Sequence, residues 1–474
     1  MRKISERKVS FIILGILFVL FTVISVLSEG VYGGADNYVH YRIARYAFRH
    51  PEFFLDQWGK PVFTTIASLF AQYGFIGIKV FNILTGLLTA YFIFRIAQKL
   101  NYRFPLLVII ILCSMPMYFI LMISSLTEIL LSFVIIFSAW LFLNKKYFWF
   151  AVVASFLPFA RTEGFFLLPV FALPLLYEKK FRTIPFLLTA TIFYSIIGSF
   201  AYHDLFWIIN QMPYIGGDNV YGSGSLFHFV TSYKELTGLL PALLLVTGTG
   251  VLIFQSVKEN KSNNFSDYEW LLIFLPFFFY FAMHSFLWWR GLGSSLGLTR
   301  VIAGVLPCAA LLCLRGWNFI YELLPDKKYI RLSLLSVLLF LLMREPFKRN
   351  RIPYPLSGTE EIVNESSKWL SQSEYFRNKI YYNDPTFCFF LDINPYDSSR
   401  IKEHVPDREH PESGIGEGEI VLWDAHFSPN EGGLPLDRMT DNSHFTLLKK
   451  FEPAETFQVL GGYNFAVYVF RKND

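Results

Sequence analysis

The sequence predicts a polytopic α-helical membrane protein with a soluble α/β domain at its C-terminal end, and three observations support this fold class. Hydrophobic residues make up 53% of the 474 residues and charged residues only 17%, whereas soluble domains contain about 25% charged residues. Apolar runs of the length that a spanning helix needs, about 20 residues, recur from Val9 to Met343. Beyond Met343 the composition changes abruptly to that of a soluble domain.

This change predicts two domains, residues 1–343 and residues 344–474. The second range contains 15 Lys and Arg against 21 Asp and Glu, and the first contains 27 against 16, so the net charge of +5 combines a basic front part with an acidic tail. The basic residues of the front part cluster between apolar runs, which is typical of cytoplasmic loops. We therefore expect the lipid bilayer, and not nucleic acid, as the partner of this surface.

The apolar runs predict about nine spans plus one re-entrant hairpin. The first run, 9–27, follows Arg7 and Lys8 and ends without a small-x-small cleavage pattern, so we interpret it as a retained span and not as a signal peptide. The remaining spans are predicted at 75–96, 104–122, 126–143, 184–202, 238–257, 270–289, 300–323 and 329–343.

The hairpin is predicted over residues 147–177. Two apolar runs of about 13 residues flank the sequence Arg161-Thr-Glu-Gly164, and lysines stand at both ends. Non-helical backbone at membrane depth is tolerated only where protein or a water-filled cavity surrounds it. A hairpin that enters and leaves from the cytoplasm fits this pattern, and a single long tilted helix is the alternative.

The distribution of basic residues predicts the orientation of the chain. A cytoplasmic N-terminus places the loop 28–60, the turn before Glu128, and the segments 203–237 and 290–299 on the outer face. The tail 344–474 then emerges on the outer face as well. The composition is typical of a bacterial inner membrane protein, with an extracytoplasmic C-terminal domain.

The first outer loop carries the leading candidate for chemistry. Gly33 and Gly34 permit a tight turn, and Asp36 and His40 stand four residues apart, which puts both on one face of a helix. Asp36 is the candidate catalytic residue, although a carboxylate at this position could instead cap the helix. His40 is a candidate substrate-binding residue, with an interfacial hydrogen-bonding role as the alternative.

Further candidate substrate-binding residues lie near the predicted outer face. Lys60 lies at the start of a Pro-initiated apolar segment, 58–74, that is too short to cross the membrane. Its ammonium could bind a phosphate, or it could snorkel to the membrane surface. Glu128 follows the second outer turn, where it could also complement the N-terminal end of its helix.

Three more charged residues complete the candidate set. Arg161 and Glu163 would lie within the bilayer, where such residues usually serve function, although they could pair as a structural clamp. Arg300 begins the run that leads to the next span, where it could bind a phosphate or act as an interfacial anchor. One carboxylate with several cations near the outer leaflet suits an anionic, lipid-linked substrate.

The order of these motifs resembles the GT-C superfamily of integral membrane glycosyltransferases. The features are the first-loop Asp36, an amphipathic stretch, the Trp-Gly-Lys-Pro segment, Thr-Glu at a helix start, Arg-x-Glu-Gly at a broken helix, and Arg300 separated from Pro307 by six residues. The resemblance covers about residues 9–343, and within the superfamily the sequence is most similar to the protein mannosyltransferase and aminoarabinose transferase families. The sequence departs from them in having a single first-loop Asp where several relatives have an acidic pair, and Arg-Thr-Glu-Gly where Arg-Pro-x-Gly is commoner.

The resemblance implies a GT-C-like transmembrane catalytic domain that uses a polyprenyl-phosphate sugar entering from the lipid. It implies that Asp36 is the general base toward an acceptor hydroxyl and that Arg161 and Arg300 lie near the lipid phosphate. The acceptor could be a glycan, a lipid or a protein. No cofactor is certain, and a divalent cation is left open. The candidate residues suit this reaction, because sugar transfer needs a base for the acceptor proton and positively charged groups beside the departing phosphate.

The tail is predicted to be a compact α/β domain that binds the acceptor or covers the outer mouth of the site. Residues 360–370 read as a helix, and residues 379–391, 418–427 and 464–472 read as strands. Asp384, Asp392, Asp424 and His426 follow these strands; the last two could bind a metal, with solvated loop residues as the alternative.

Two other functional classes compete with the transferase. A transporter or lipid-linked sugar flippase would have internal repeats with matching broken helices, and the sequence has only one such break. A receptor or assembly factor without chemistry would not require Asp36.

Overall fold

The computed structural model describes residues 5–213, 222–258 and 264–473. The chain divides into two compact units, of which the first comprises Met1–Ser28 and Ile43–Pro353 and the second Glu29–Arg42 and Tyr354–Asp474. The second unit therefore contains the tail together with the loop segment that carries Asp36. Residues 214–221 of the predicted outer segment 203–237 lie outside the described residues.

Within the described residues of the first unit, six helices are long and apolar enough to cross a membrane. They are Glu6–Leu27, Phe75–Lys99, Phe181–Tyr202, Leu239–Val257, Asp267–Arg290 and Thr299–Leu323. The prediction of a polytopic helical membrane protein is confirmed, and the number of crossings stays a prediction.

Other helices of the first unit connect or flank these six. The first unit also contains Pro51–Leu55, Pro61–Ala71, Leu107–Cys113, Pro116–Met122, Glu128–Leu143, Tyr147–Ala154, Leu157–Ala160, Gly164–Tyr177, Trp207–Asn210, His228–Thr231, Tyr233–Leu236 and Lys328–Arg349. The helix Ala35–Tyr46, named here the first-loop helix, begins in the second unit and continues into the first. A π-helical turn, Trp270–Phe274, interrupts the helix that ends at Arg290.

The predicted span 104–122 differs from a single helix. It consists of Leu107–Cys113 and Pro116–Met122, with Met115 in an extended conformation between them. Proline lacks a backbone N–H and disfavours helical geometry in the preceding residue, so Pro116 ends one helix and starts the next.

The segment 147–177 is broken at the Arg-Thr-Glu-Gly sequence. Arg161 has extended backbone angles and ends the helix Leu157–Ala160, and a new helix begins at Gly164. A Cβ atom on Gly164 would lie 2.2 Å from the backbone carbon of Leu157, so only glycine permits this close return of the chain. The alternative of one continuous helix is therefore wrong.

Two helices of the first unit cross at glycines. A Cβ atom on Gly248 would lie 1.9 Å from the carbonyl oxygen of Leu312, and a Cβ atom on Gly316 would lie 2.2 Å from that of Leu244. Small residues at such crossings bring helix backbones into direct contact, which is a main source of helix association in membranes. The helices Leu239–Lys258 and Leu306–Leu323 are locked together in this way.

The second unit contains a five-stranded sheet in the order β2-β1-β3-β5-β4. The strands are β1 Ile380–Tyr382, β2 Ile401–Glu403, β3 Ile420–Asp424, β4 Phe445–Phe451 and β5 Val467–Lys472. β1 pairs in parallel with β2 and β3, whereas β5 is antiparallel to β3 and β4. The helices are Gly358–Gln372, Glu374–Arg377, Thr386–Phe390, Phe427–Asn430, Asp437–Thr440 and Leu460–Gly462.

The sheet confirms the predicted α/β class of the tail and corrects one strand. The predicted strand 379–391 ends at Tyr382, and Thr386–Phe390 is helical. The carboxylate of Asp384 accepts the backbone N–H of Thr386 at 2.8 Å, and the fixed φ of Pro385 suits a helix start. Local capping therefore outweighs the β propensity of the aromatic run.

Candidate functional site

The first-loop helix carries Asp36 in its first turn. Gly33 and Gly34 have φ of 98° and 57°, so they form the predicted tight turn directly before the helix begins at Ala35. Asp36 is the second helical residue and does not occupy the N-cap position. It is half-buried and His40, one turn later, is buried.

An acidic edge of the sheet lies near Asp36 in the second unit. Burial, followed by the neighbouring charges of Asp36, Asp424 and Glu403, raises the pKa of Glu431. Since interactions between exposed charges are largely screened beyond about 10 Å, these carboxylates lie in the same region of the second unit. The carboxyl ends of the parallel strands β2 and β3 thus face the same region as the candidate base.

The other five predicted site residues belong to the first unit and form one connected network, named here the buried ion cluster: Lys60, Glu128, Arg161, Glu163 and Arg300. The cluster contains three cations and two carboxylates. Sequence positions 60, 128, 161 and 300 are brought together only by tertiary packing.

Arg161 is the centre of the cluster. Its guanidinium lies 2.8 Å from the Glu128 carboxylate and 2.9 Å from that of Glu163, and it donates to the Thr127 hydroxyl at 3.0 Å. Its side chain is 14% exposed and that of Glu128 is 1% exposed. The predicted clamp between Arg161 and Glu163 is present, and Glu128 enlarges it into a buried three-residue ion network.

Lys60 reaches the same cluster from the start of the short apolar helix Pro61–Ala71. Its ammonium donates to the Gln57 carbonyl at 2.8 Å and to the Thr162 hydroxyl at 3.0 Å. The residue is 6% exposed and has φ of 64°, an uncommon conformation for a side chain other than glycine. The snorkelling alternative is wrong, because the ammonium points into the protein.

Arg300 joins the cluster at Glu128 Oε1, the same oxygen that pairs with Arg161. Its Nε lies 3.6 Å from the Glu128 carboxylate, and its side chain is 12% exposed. The preceding Thr299 donates to the exposed carboxylate of Glu235 at 2.9 Å. Glu128, the first residue of its helix, therefore holds two arginines while it also lies at the positive end of the helix dipole.

Two aromatic residues of the cluster were missed by the sequence analysis. Tyr280 and His284 lie one turn apart on the helix after the π-helical turn, with ring centroids 4.5 Å apart, and both are buried. Both interact electrostatically with Arg161 and Glu163. A histidine and a tyrosine four residues apart inside an apolar run were the available signal, since ionisable residues within spans usually serve function.

The tail carboxylates Asp384 and Asp424 are buried. The alternative that they are solvated loop residues is therefore wrong. Burial raises the pKa of Asp384 to about 7 and that of Asp424 to about 6. The Asp424 carboxylate accepts the backbone N–H groups of His426 and Phe427, so it caps a turn. Within residues 5–213, 222–258 and 264–473, no group of three His, Cys, Asp or Glu is placed to hold a metal ion.

The fold is similar to that of ArnT, which is known from two solved structures. ArnT from Cupriavidus metallidurans bound to undecaprenyl phosphate superposes over 97% of both chains with a TM-score of 0.60 and 12% identity. The apo state superposes over 98% of both chains with a TM-score of 0.64 and 12% identity. At this identity the likeness shows the fold, and the expected GT-C fold is confirmed over the 97–98% of this chain that superposes.

A third similar structure is much longer than this chain. The arabinofuranosyltransferase AftD from Mycobacteria matches 99% of this chain but only 40% of its own, with a TM-score of 0.49 and 11% identity. The fold assignment rests on the two ArnT structures. The sequence matches no protein-family model and no curated protein sequence.

Proposed function

We propose that this GT-C-fold protein is a glycosyltransferase that moves a hexosyl or pentosyl group from a polyprenyl-phosphate donor to an acceptor hydroxyl. The observation that carries the proposal is a buried, cation-rich cluster within a fold shared end to end with ArnT, whose structure was solved with undecaprenyl phosphate bound. The acceptor class comprises the hydroxyl groups of glycans, lipids and proteins. We place the reaction on the outer face of a bacterial inner membrane, with the N-terminus in the cytoplasm and residues 344–474 outside.

The proposed chemistry is a direct displacement at the anomeric carbon. The acceptor oxygen forms a bond to that carbon while the bond from carbon to phosphate oxygen breaks, and the electron pair leaves with the polyprenyl phosphate. Asp36 takes the acceptor proton as the new bond forms, a role that contributes about 10²- to 10⁴-fold in rate. His40, on the same helix face, would orient the acceptor or the carboxylate.

Positive charge is needed where the phosphate leaves, because the phosphate gains negative charge during bond breaking. Lys60 and Arg300 are the proposed phosphate ligands. Arg161 is already held by Glu128 and Glu163. We propose that its fixed positive charge also stabilises the departing phosphate. In the resting protein the two carboxylates offset part of the charge of the three cations, which lowers the cost of burying them in the absence of substrate.

Lateral access from the bilayer explains why the cluster adjoins interrupted helices. The interrupted segments that carry cluster residues are the start of the short helix after Lys60 and the break at Arg161. Irregular backbone at membrane depth occurs where it lines a cavity or a polar site. A polyprenyl donor would bring its phosphate to such a site while its chain stays in lipid.

The test is reconstitution of the purified protein in vesicles that contain polyprenyl-phosphate sugar labelled in the sugar, with an extract of glycans, lipids and proteins supplied as the source of acceptor hydroxyls. The proposal predicts that wild-type protein releases polyprenyl phosphate and forms a glycosylated product in equal amounts. Asp36→Asn should lower the rate about 10²- to 10⁴-fold while it binds donor normally. Movement of intact labelled lipid across the bilayer without product would instead establish the flippase.

A further inference from the structure

The segment that carries Asp36 is built into the tail of the protein. Residues Glu29–Arg42 belong to the same compact unit as Tyr354–Asp474, although more than 300 residues separate them in sequence. The backbone N–H of Gly30 donates to the Tyr354 carbonyl at 3.1 Å. A Cβ atom on Gly30 would lie 2.1 Å from the Pro355 carbonyl oxygen, so the loop meets the tail backbone directly.

The first anchor of the first-loop helix is a buried hydrogen bond. The Tyr38 hydroxyl donates to Glu360 Oε1 at 2.6 Å, and Tyr38 is 2% exposed. The other oxygen of Glu360 accepts the backbone N–H of Ser357 at 2.7 Å in a capping box at the start of the helix Gly358–Gln372. Because Glu360 is fixed by its own helix, it gives Tyr38 one defined position.

The second anchor lies one helical turn further along. Arg42 forms an ion pair with Glu403 at 3.0 Å, and it donates to the Tyr382 hydroxyl at 3.4 Å. Its side chain is 17% exposed, so the pair is partly shielded from water. Tyr382 ends β1 and Glu403 ends β2, so the guanidinium is held by the carboxyl ends of two adjacent parallel strands.

Aromatic packing fills the space between the two anchors. The Tyr38 ring lies 4.7 Å from that of Phe389, and the Tyr41 ring lies 6.1 Å from it. Phe389 belongs to the short helix that follows β1. Tilted and edge-to-face pairs of this kind prefer defined ring geometries, so they resist rotation of the first-loop helix.

The anchors and the candidate base occupy different faces of the same helix. Tyr38 and Arg42 are four residues apart and share one face, as do Asp36 and His40. At about 100° per residue, the two faces are related by a rotation of roughly 200°. Fixing the face of Tyr38 and Arg42 on the tail therefore sets the direction in which Asp36 points.

We propose that the C-terminal domain positions the general base, with Tyr38 bound to Glu360 and Arg42 bound to Glu403 acting as the two fixed points of the first-loop helix. This inference rests on the proposed function of Asp36. The four residues are positioning residues, since they act through the helix and not on the substrate. Small misplacements of a catalytic group lower the rate by as much as about 10²-fold, whereas donor binding at the phosphate would be unaffected.

The test uses charge reversal in the full-length protein. Arg42→Glu and Glu403→Arg should each lower kcat about 10-fold or more with an unchanged KM for the lipid donor, and the double variant R42E/E403R should recover to within about three-fold of wild type. Tyr38→Phe, which keeps the ring and removes the hydroxyl, should lower kcat in the same direction. The matched control is Arg438→Glu, because Arg438 pairs with Glu409 at 2.8 Å in the same domain and should leave kcat unchanged.

The outcomes separate this inference from the proposed function. Single variants that retain full kcat, or a double variant that recovers nothing although it is folded, would overturn the positioning role. If Asp36→Asn retains wild-type activity, the assignment of the base fails. If Asp36→Asn is inactive while the anchor variants are fully active, only the positioning inference fails.

Discussion

Replacement of Arg161 by methionine should strongly destabilise the first unit. Arg161 lies 2.8 Å from Glu128 and 2.9 Å from Glu163, and Glu128 is 1% exposed. Methionine fills much of the volume but leaves two carboxylates without their shared cation. Removing one partner of a buried ion pair costs about 3–5 kcal/mol, so we expect a loss of unfolding free energy in that range.

The assay is equilibrium unfolding of the purified protein in mixed micelles, with the wild type and the variant compared at the same detergent composition. Asp326→Asn is the matched control. Asp326 pairs with Arg331, but its side chain is 90% exposed, and exposed ion pairs contribute about 0–1 kcal/mol. The assay thus compares the loss of unfolding free energy in Arg161→Met with the loss in Asp326→Asn.

A second variant tests the cause of the effect. Combining Arg161→Met with Glu163→Gln removes the cation and the carboxylate whose ion pair is with that cation, so the double variant should be more stable than Arg161→Met alone. An Arg161→Met protein that loses no more free energy than Asp326→Asn, or a double variant whose losses simply add, would refute a buried and compensated ion cluster.

Three further predictions address other parts of the molecule. Lys60→Met should raise the KM for the polyprenyl-phosphate donor about 10-fold or more with a smaller change in kcat, measured in donor titrations, because Lys60 is one of the two proposed phosphate ligands. Gly316→Val should destabilise the protein in the same micelle assay, since its first side-chain atom would lie 2.2 Å from the Leu244 carbonyl oxygen. Burial raises the pKa of Asp384 from 3.8 to about 7 and the pKa of Asp424 from 3.8 to about 6. Between about pH 4 and 7 the folded tail therefore binds more protons than the unfolded tail. The stability of the tail should fall as pH rises through that window. Hydrogen exchange of 380–382 and 420–424, corrected for intrinsic rates, should show stronger protection at pH 5 than at pH 8, and Asp424→Asn should weaken this dependence.

The helical part of the fold was predictable where apolar runs are long and uninterrupted. The predicted spans 9–27 and 75–96 lie within the helices Glu6–Leu27 and Phe75–Lys99. The break at Arg161 was visible as polar residues inside an apolar run. In contrast, hydrophobicity alone did not reveal the break before Pro116, because the residues on both sides are equally apolar.

Two strands and one short helix of the tail could not be predicted from local sequence patterns. β2 has only three residues, and β4 has the sequence Phe-Thr-Leu-Leu-Lys-Lys-Phe, with a bulge that disrupts its alternation. Neither strand was predicted, because both depend on pairing with β1 and β5. The helix Thr386–Phe390 likewise depends on capping by Asp384, a side-chain contact that outweighs the β propensity of its aromatic residues.

The sequence identified which charged residues form the candidate site, but it did not predict which of them form ion pairs with one another. Charged groups within or beside apolar runs identified Glu128, Arg161 and Arg300, since such groups are rare without a function. That Glu128 holds both arginines required tertiary structure, because more than 30 residues separate each pair. Tyr280 was missed because a tyrosine in an aromatic-rich span is not distinctive by itself.

The central claim is that a polyprenyl-phosphate sugar is the donor and that Asp36 is required to transfer its sugar. The most direct measurement is mass spectrometry of lipid-linked sugars in cells that express either the wild type or Asp36→Asn at equal levels. We predict that one polyprenyl-phosphate sugar accumulates with Asp36→Asn and returns to its basal level with the wild type. Identical lipid-linked sugar profiles in the two cell lines would contradict the claim.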